Sequence, residues 1–154
     1  MLAIIGCGNA NRNDDQVGVY VALALKRLAD EQQLPDVKVF DAGTAGMEVI
    51  FHARGCQSLI IIDANQSGSE PGSIFEVPGD MLTNAPPSHF NLHSFRWDHA
   101  IYAGQKIFKD DFPKDVTVYL IEAKDLGFGF EMTNEVAQSA EIVIKKIMQR
   151  LSQR

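Results

Sequence analysis

Cysteine is nearly absent: Cys7 and Cys56 are the only two in 154 residues. Two thiols so far apart build no disulfide framework, and their separation is not a zinc-finger spacing. A reducing, cytoplasmic setting is therefore expected. Long apolar runs are missing too. Nothing approaches the roughly 20 residues that span a bilayer. The opening Met1–Gly6 has no basic leader and no cleavage-site pattern, so it reads as a strand rather than a signal peptide. Excess positive charge is lacking, with a formal net charge of −6, and this argues against a nucleic-acid surface, which needs clustered Lys and Arg. The only basic cluster, Lys145 and Lys146 with Arg150 and Arg154, lies at the end of an expected helix. Cations there oppose the negative end of the dipole, so its reading is structural. Internal repeats, linkers and low-complexity tracts are likewise absent, and residues 1–154 are expected to form one compact domain. Monomer is the default expectation.

What the chain does contain is an alternation of two periodicities. Leu2–Ile5, Val37–Phe40, Leu59–Ile62, Ser73–Val77 and Val116–Ile121 are short runs of strand character. The run Leu59–Ile62 is wholly apolar, as expected of a central strand buried on both faces. Between the runs, Val17, Tyr20, Val21, Ala24, Leu25 and Leu28 form one helical stripe, and Val136, Ala140, Val143, Ile144, Ile147 and Leu151 another. Thr133 begins that last helix. Shorter helices are expected around Met47–Ala53 and over His93–Phe108, and Gly79–Asn91, with Pro86 and Pro87, reads as a surface excursion. The fold class that follows is α/β, a three-layer αβα sandwich around a mainly parallel, doubly wound sheet. In such sheets ligands bind off the carboxyl ends of the strands. The polar loops Gly6–Asp15, Asp41–Gly46 and Asp63–Gly68 all follow strands, so they should meet on one rim.

Gly6-Cys7-Gly8-Asn9, between a strand and a helix, invites a dinucleotide reading, and Asp41 falls where a ribose-binding acid would sit. Two details oppose it. Asn11 replaces the third glycine, removing the close helix–strand contact that glycine permits. Asp14 and Asp15 also put carboxylates where a pyrophosphate would bind. The same acids suit a cation. Asp15 lies after the first strand, Asp63 ends the central strand, and His93 could reach both from the excursion. Two carboxylates and one imidazole suit a divalent transition metal and leave positions open for groups from a partner. The plainer alternative is that Asp14 or Asp15 caps the helix and Asp63 is a strand-end turn residue.

These segments resemble the hydrogenase maturation endopeptidases. Gly6-Cys7-Gly8-Asn9 followed by Asp14-Asp15-Gln16-Val17-Gly18-Val19 is similar to the opening motif of that family, and Asp41-Ala42-Gly43-Thr44-Ala45-Gly46 to its second. Leu59–Ala64 with Pro71-Gly72 resembles its central strand and the turn beyond, and His93 stands at the family's histidine. The resemblance implies removal of a C-terminal extension from a nickel–iron hydrogenase large-subunit precursor after nickel insertion. It implies that Asp15, Asp63 and His93 bind the metal and serve catalysis. The nickel would be supplied by the precursor, and other divalent metals could substitute for it in crystals. Ala10–Asn13 and Ser94–Trp97 depart from the family pattern on either side of the proposed site, which leaves the partner hydrogenase open.

Other residues carry weaker expectations. Asp41, Gly43 and Thr44 are candidates for holding substrate, with Gly43 and Gly46 allowing a tight turn at positive φ. Cys7 is a candidate nucleophile at a helix N-terminus, but the neighbouring acids oppose its ionisation and a structural thiol is favoured. His89 reads as a loop histidine, His99 as locally hydrogen-bonded and His52 as surface or packing. Phe95 and Trp97 would serve docking or helix packing. A non-catalytic metal-binding chaperone would keep the same ligands without cleaving a precursor; a nucleotide-binding enzyme would bind a dinucleotide saturably.

Overall fold

The structure, a computed structural model, describes residues 1–44, 46–79 and 97–153. Strand β1 (Leu2–Cys7) leads through a 3-10 turn at Asn13–Gln16 into helix α1 (Val17–Glu31). There follow β2 (Val37–Gly43), α2 (Gly46–Ala53), β3 (Ser58–Asn65), β4 (Ile74–Pro78), α3 (Trp97–Phe108), β5 (Asp115–Glu122) and α4 (Asn134–Ser152). The sheet order is β2-β1-β3-β5-β4. The β1–β2, β1–β3 and β3–β5 pairs are parallel, whereas β4 runs antiparallel to β5. This is the expected α/β sandwich with one reversed edge strand. The Gln66–Ser73 link between β3 and β4 is too short to hold a crossover helix, so the chain must turn back.

Alternation along the strands fills two cores. On one face Ile4, Ile60, Ile62 and Ile121 pack against Val17, Val21 and Leu25 of α1 and Val136, Val143 and Ile147 of α4. On the other, Ala3, Ile5, Leu59, Ile61 and Val118 meet Val49 and Ile50 of α2 and Ala100 and Ile101 of α3. Because Leu59 through Ile62 serve both cores in turn, each is fully buried, and each contributes about 1.5–3 kcal/mol of apolar burial. The expected α4 stripe is buried throughout. The α1 stripe needs one correction. Tyr20 is exposed and donates its hydroxyl hydrogen bond to Glu141 at 2.8 Å, while Gly18 and Ala22 take the buried positions.

Gly18 explains how α1 lies so low on the sheet. A Cβ there would strike the carbonyl oxygens of Cys7 and Ile62, and a Cβ on Gly6 would strike the Gly18 carbonyl. The helix–strand contact expected to vanish with Asn11 is thus supplied by a glycine further along. On the opposite face α2 and α3 each lead into a strand, β3 and β5, and because those strands are parallel the two helices run in the same direction. The ring of Phe51, late in α2, meets that of Phe108, which ends α3, edge-on at 6.1 Å. Since α2 starts at the carboxyl edge of the sheet, α3 also starts there. Helix α3 begins at Trp97, so the expected helical stretch 93–96 lies outside the described residues.

Candidate active site at the carboxyl edge of the sheet

The order of the chain reverses between β1 and β3: from β1 it passes to β2 on one side and then to β3 on the other. That is a topological switch point, where the loops diverge and leave a crevice. The last β1–β3 pair is Gly6↔Ile62, so Cys7 and Asp63 stand one step beyond it on neighbouring strands. On the other side the β1–β2 register breaks, from Gly6↔Asp41 to Cys7↔Gly43. This irregularity brings the Asp41–Gly43 turn against the same point.

Cys7 sits buried at the centre. Burial pushes its thiol well above the ordinary range, and the charges of Asp63, Asp41 and Asp15 push it further in that order. One thiol therefore registers the three carboxylates that the loops were expected to bring together. It also answers the nucleophile reading: a thiol held protonated at neutral pH is a poor nucleophile.

Each carboxylate is held by its own local bond. Asp63 is half-buried, and its Oδ1 accepts from the Ala64 N–H at 2.8 Å. The half-buried Asp15 accepts the Asn9 N–H on Oδ2 at 2.9 Å, and Gly8 leaves no room for a side chain against the Asp15 carbonyl. Asp41, exposed, accepts the Gly43 N–H at 2.8 Å. Gly43 has φ 55° as expected, but Gly46 opens α2 instead of making a second positive-φ turn. Thr44 is exposed on the same turn. His93 and His89 lie outside the described residues, as do Ser94–Arg96. Among the described residues no group of three His, Cys, Asp or Glu side chains is arranged to hold a metal ion.

The helix-cap reading of Asp14 and Asp15 is corrected. Neither the 3-10 turn nor α1 has a side-chain cap. Asp14 is fully buried and reaches across to the segment after β5. It accepts the N–H groups of Lys124 at 2.8 Å, Asp125 at 2.9 Å and Thr133 at 2.7 Å, together with the Thr133 hydroxyl. It therefore satisfies the start of α4, not of α1. Two adjacent acids have separate tasks: Asp14 holds structure and Asp15 faces the crevice. His52 packs as expected, stacked on Phe40 with ring centroids 3.9 Å apart, and His99 is buried in α3. Within the basic cluster, Lys146 reaches Glu76 at 3.9 Å and Arg150 reaches Asp115 at 2.8 Å, while Arg154 lies outside the described residues.

Glu122 was not anticipated. It is 2% exposed at the end of β5, directly across from Asn65 in the β3–β5 register. Burial works to raise its carboxyl. Hydrogen bonds from the Ser67 N–H and hydroxyl, the Asn65 amide and the Gly68 N–H outweigh that and hold it below the ordinary glutamate range. It ties down the loop that follows Asp63. The available signal was an acid ending an apolar strand, the pattern that picked out Asp63. A carboxyl lowered by folding stabilises the native state above its unfolded pKa, and that stability is lost as pH falls through the folded value. Glu122→Gln should accordingly cost about 1–3 kcal/mol at neutral pH, with the gap from the unaltered chain closing as acid titrates the carboxyl. Denaturant unfolding at neutral and acid pH measures both; equal stability at neutral pH would refute the assignment.

Three comparisons bear on the family. A family model described as hydrogenase maturation protease matches residues 19–150. A Methanocaldococcus jannaschii protein named as a hydrogenase maturation protease is 32% identical over 60% of this chain, and the match spans only 60% of that protein's own length. The hydrogenase 2 maturation protease of Escherichia coli strain K12 is 27% identical over 97% of this chain and 90% of its own. In fold, the chain is similar to the solved hydrogenase maturating endopeptidase HybD from E. coli, with a TM-score of 0.76 and 24% identity over 99% of this chain and 92% of that one. The family model covers most of the sequence and the sheet is that of the solved endopeptidase, so the chain belongs to the hydrogenase maturation protease family.

Proposed function

We propose that this chain is an endopeptidase that removes the C-terminal extension of a nickel–iron hydrogenase large-subunit precursor once nickel has been inserted. The observation that carries the reading is the switch point itself: the strand register puts Asp63 one step beyond the last β1–β3 pair, beside Cys7, and brings the Asp41–Gly43 turn to the same edge, with Asp15 in the segment that follows β1. Carboxylates that share one edge of the sheet favour a cation there. Asp15 and Asp63 are the two carboxylates that enter the coordination of the precursor's nickel. His93 is the third group: α3 begins at the carboxyl edge, and the tether from 93 to Trp97 is at most about 14 Å long. Three protein groups leave positions for the precursor's own ligands, so the nickel is part of the substrate and is bound only when the precursor supplies it.

Docking of the nickel centre holds the scissile peptide beside the rim, and hydrolysis follows from proximity and polarisation by charge. The exposed Thr44 hydroxyl and the Asp41–Gly43 turn guide the substrate backbone. Cys7 does not attack; its protonated thiol fills the floor of the crevice. Among the described residues no helix is long and apolar enough to cross a membrane, and the compartment proposed is the cytoplasm, with the chain acting as a monomer.

The test is incubation with nickel-loaded and nickel-free precursor, followed by mass measurement of the precursor's C-terminus. Cleavage of the loaded form alone is expected, and His93→Ala should abolish it without altering the melting temperature. Equal cleavage of both forms removes the nickel checkpoint. An uncleaved loaded precursor overturns the peptidase reading and leaves a metal-binding chaperone.

A further inference from the structure

Two phenylalanines on one short loop are almost wholly in solvent, Phe128 at 86% exposure and Phe130 at 77%. Exposed aromatics on a mobile tail would mean little. This loop is rigidly tied to the turn that carries Asp15. The Asn13 N–H donates to the Gly129 carbonyl at 3.0 Å and the Gly129 N–H to the Asn11 carbonyl at 2.9 Å. Arg12 Nε reaches the Leu126 carbonyl at 3.0 Å, Gln16 Nε2 the Phe130 carbonyl at 2.9 Å, and Asp14 anchors Lys124 and Asp125 below. Gly129 is required at φ 153°, where any Cβ would run into the Asn13 side chain. Both aromatic residues are therefore held in place beside the site before anything binds. An ordered, exposed aromatic pair is the composition and pre-organisation of an interface anchor.

The surroundings define what it fits. Glu131 is exposed in the same loop, Asp125 lies at its start, and Asp15 and Asp41 lie on the adjoining rim. Of the cations nearby, Arg12 has its guanidinium over the Phe128 ring at 4.9 Å, and Lys124 is paired with Glu135 at 3.3 Å. An apolar pair framed by carboxylates complements a segment with apolar side chains flanked by basic ones.

We infer that Phe128 and Phe130 are a docking anchor for the precursor protein, receiving an apolar, basic-flanked segment of it next to the Asp15 side of the crevice. This rests on the proposed function for the identity of the partner. The readout is therefore binding, not cleavage: the Kd of nickel-loaded precursor for the unaltered chain, for the Phe128→Ala/Phe130→Ala double variant, for Glu131→Lys, and for Phe51→Ala. Phe51 is 62% exposed on α2 and serves as the remote control. The double variant should bind about tenfold or more weakly, Glu131→Lys should also weaken binding, more so at low salt, and Phe51→Ala should be unchanged. All four should remain folded at the assay temperature, since none of the side chains replaced is buried. Unchanged affinity in the double variant, or no binding by the unaltered chain, overturns the anchor. Tighter binding by Glu131→Lys overturns the basic-flanked partner. Binding without cleavage sinks the peptidase reading alone.

Discussion

Asp63→Ala should abolish precursor processing while leaving the chain folded. The two effects separate because of where Asp63 sits. Its backbone is fixed by the β3–β5 register, Asp63↔Leu120, and does not depend on its side chain. Its carboxylate accepts the N–H of the next residue, Ala64, at 2.8 Å. Its charge has the largest effect of the three carboxylate charges that oppose ionisation of Cys7. The loss of stability should stay within the ordinary range for a half-buried residue, about 1 kcal/mol. Processing is the opposite case. Losing an outer-shell partner of a metal ligand already costs 10–100-fold, so loss of a ligand should cost about 100-fold or more. Asp63→Asn, which keeps the shape and removes the charge, should fall with it, because a neutral amide is a poor ligand for a transition metal. Processing rates by mass measurement, paired with denaturant unfolding, check both halves. A variant that cleaves at the unaltered rate would remove Asp63 from the chemistry; one that unfolds would make it a structural residue.

Much of the fold was legible because each element carries a periodicity that burial enforces. The α4 stripe is buried at every expected residue, and Leu59–Ile62 is buried on both faces because helices cover both. Tyr20 misled for a physical reason: its ring is apolar enough to join a helical stripe, yet its hydroxyl is better satisfied by Glu141 at the surface. The direction of β4 was hidden because strand propensity carries no sense of parallel or antiparallel. That information lay in the length of the preceding link. At the site, the three acidic loops could be placed on one rim because parallel strands put all their carboxyl ends at one edge. What could not be read was long-range pairing. Nothing near Asp14 points to Thr133, far along the chain, and nothing near Glu122 points to Ser67. A buried carboxylate needs donors, but sequence does not say which backbone amides will turn toward it.

Asp14 and Asp15 should therefore give opposite phenotypes although they are adjacent. Asp14→Ala leaves the N–H groups of Lys124, Asp125 and Thr133 and the Thr133 hydroxyl facing a buried space from which their acceptor has gone. Each orphaned donor costs about 1–3 kcal/mol. Partial relaxation and water entry reduce the sum, and about 3–5 kcal/mol is expected, comparable to breaking a buried charge pair. That is a large share of the roughly 5–15 kcal/mol holding a domain together. Asp14→Asn should be milder, since its amide oxygen still accepts while its amide nitrogen faces other donors. Asp15→Asn keeps an oxygen for the Asn9 N–H and should leave stability within about 0.5 kcal/mol, yet processing should fail because the carboxylate charge is lost. Processing by Asp14→Asn, measured below its melting temperature, should recover toward the unaltered rate, because Asp15 still faces the crevice whenever the chain is folded. Urea midpoints and processing rates for the three variants decide it. A destabilised Asp15→Asn together with a stable Asp14→Ala would invert the division of labour between the two acids and remove Asp15 from the proposed ligand set.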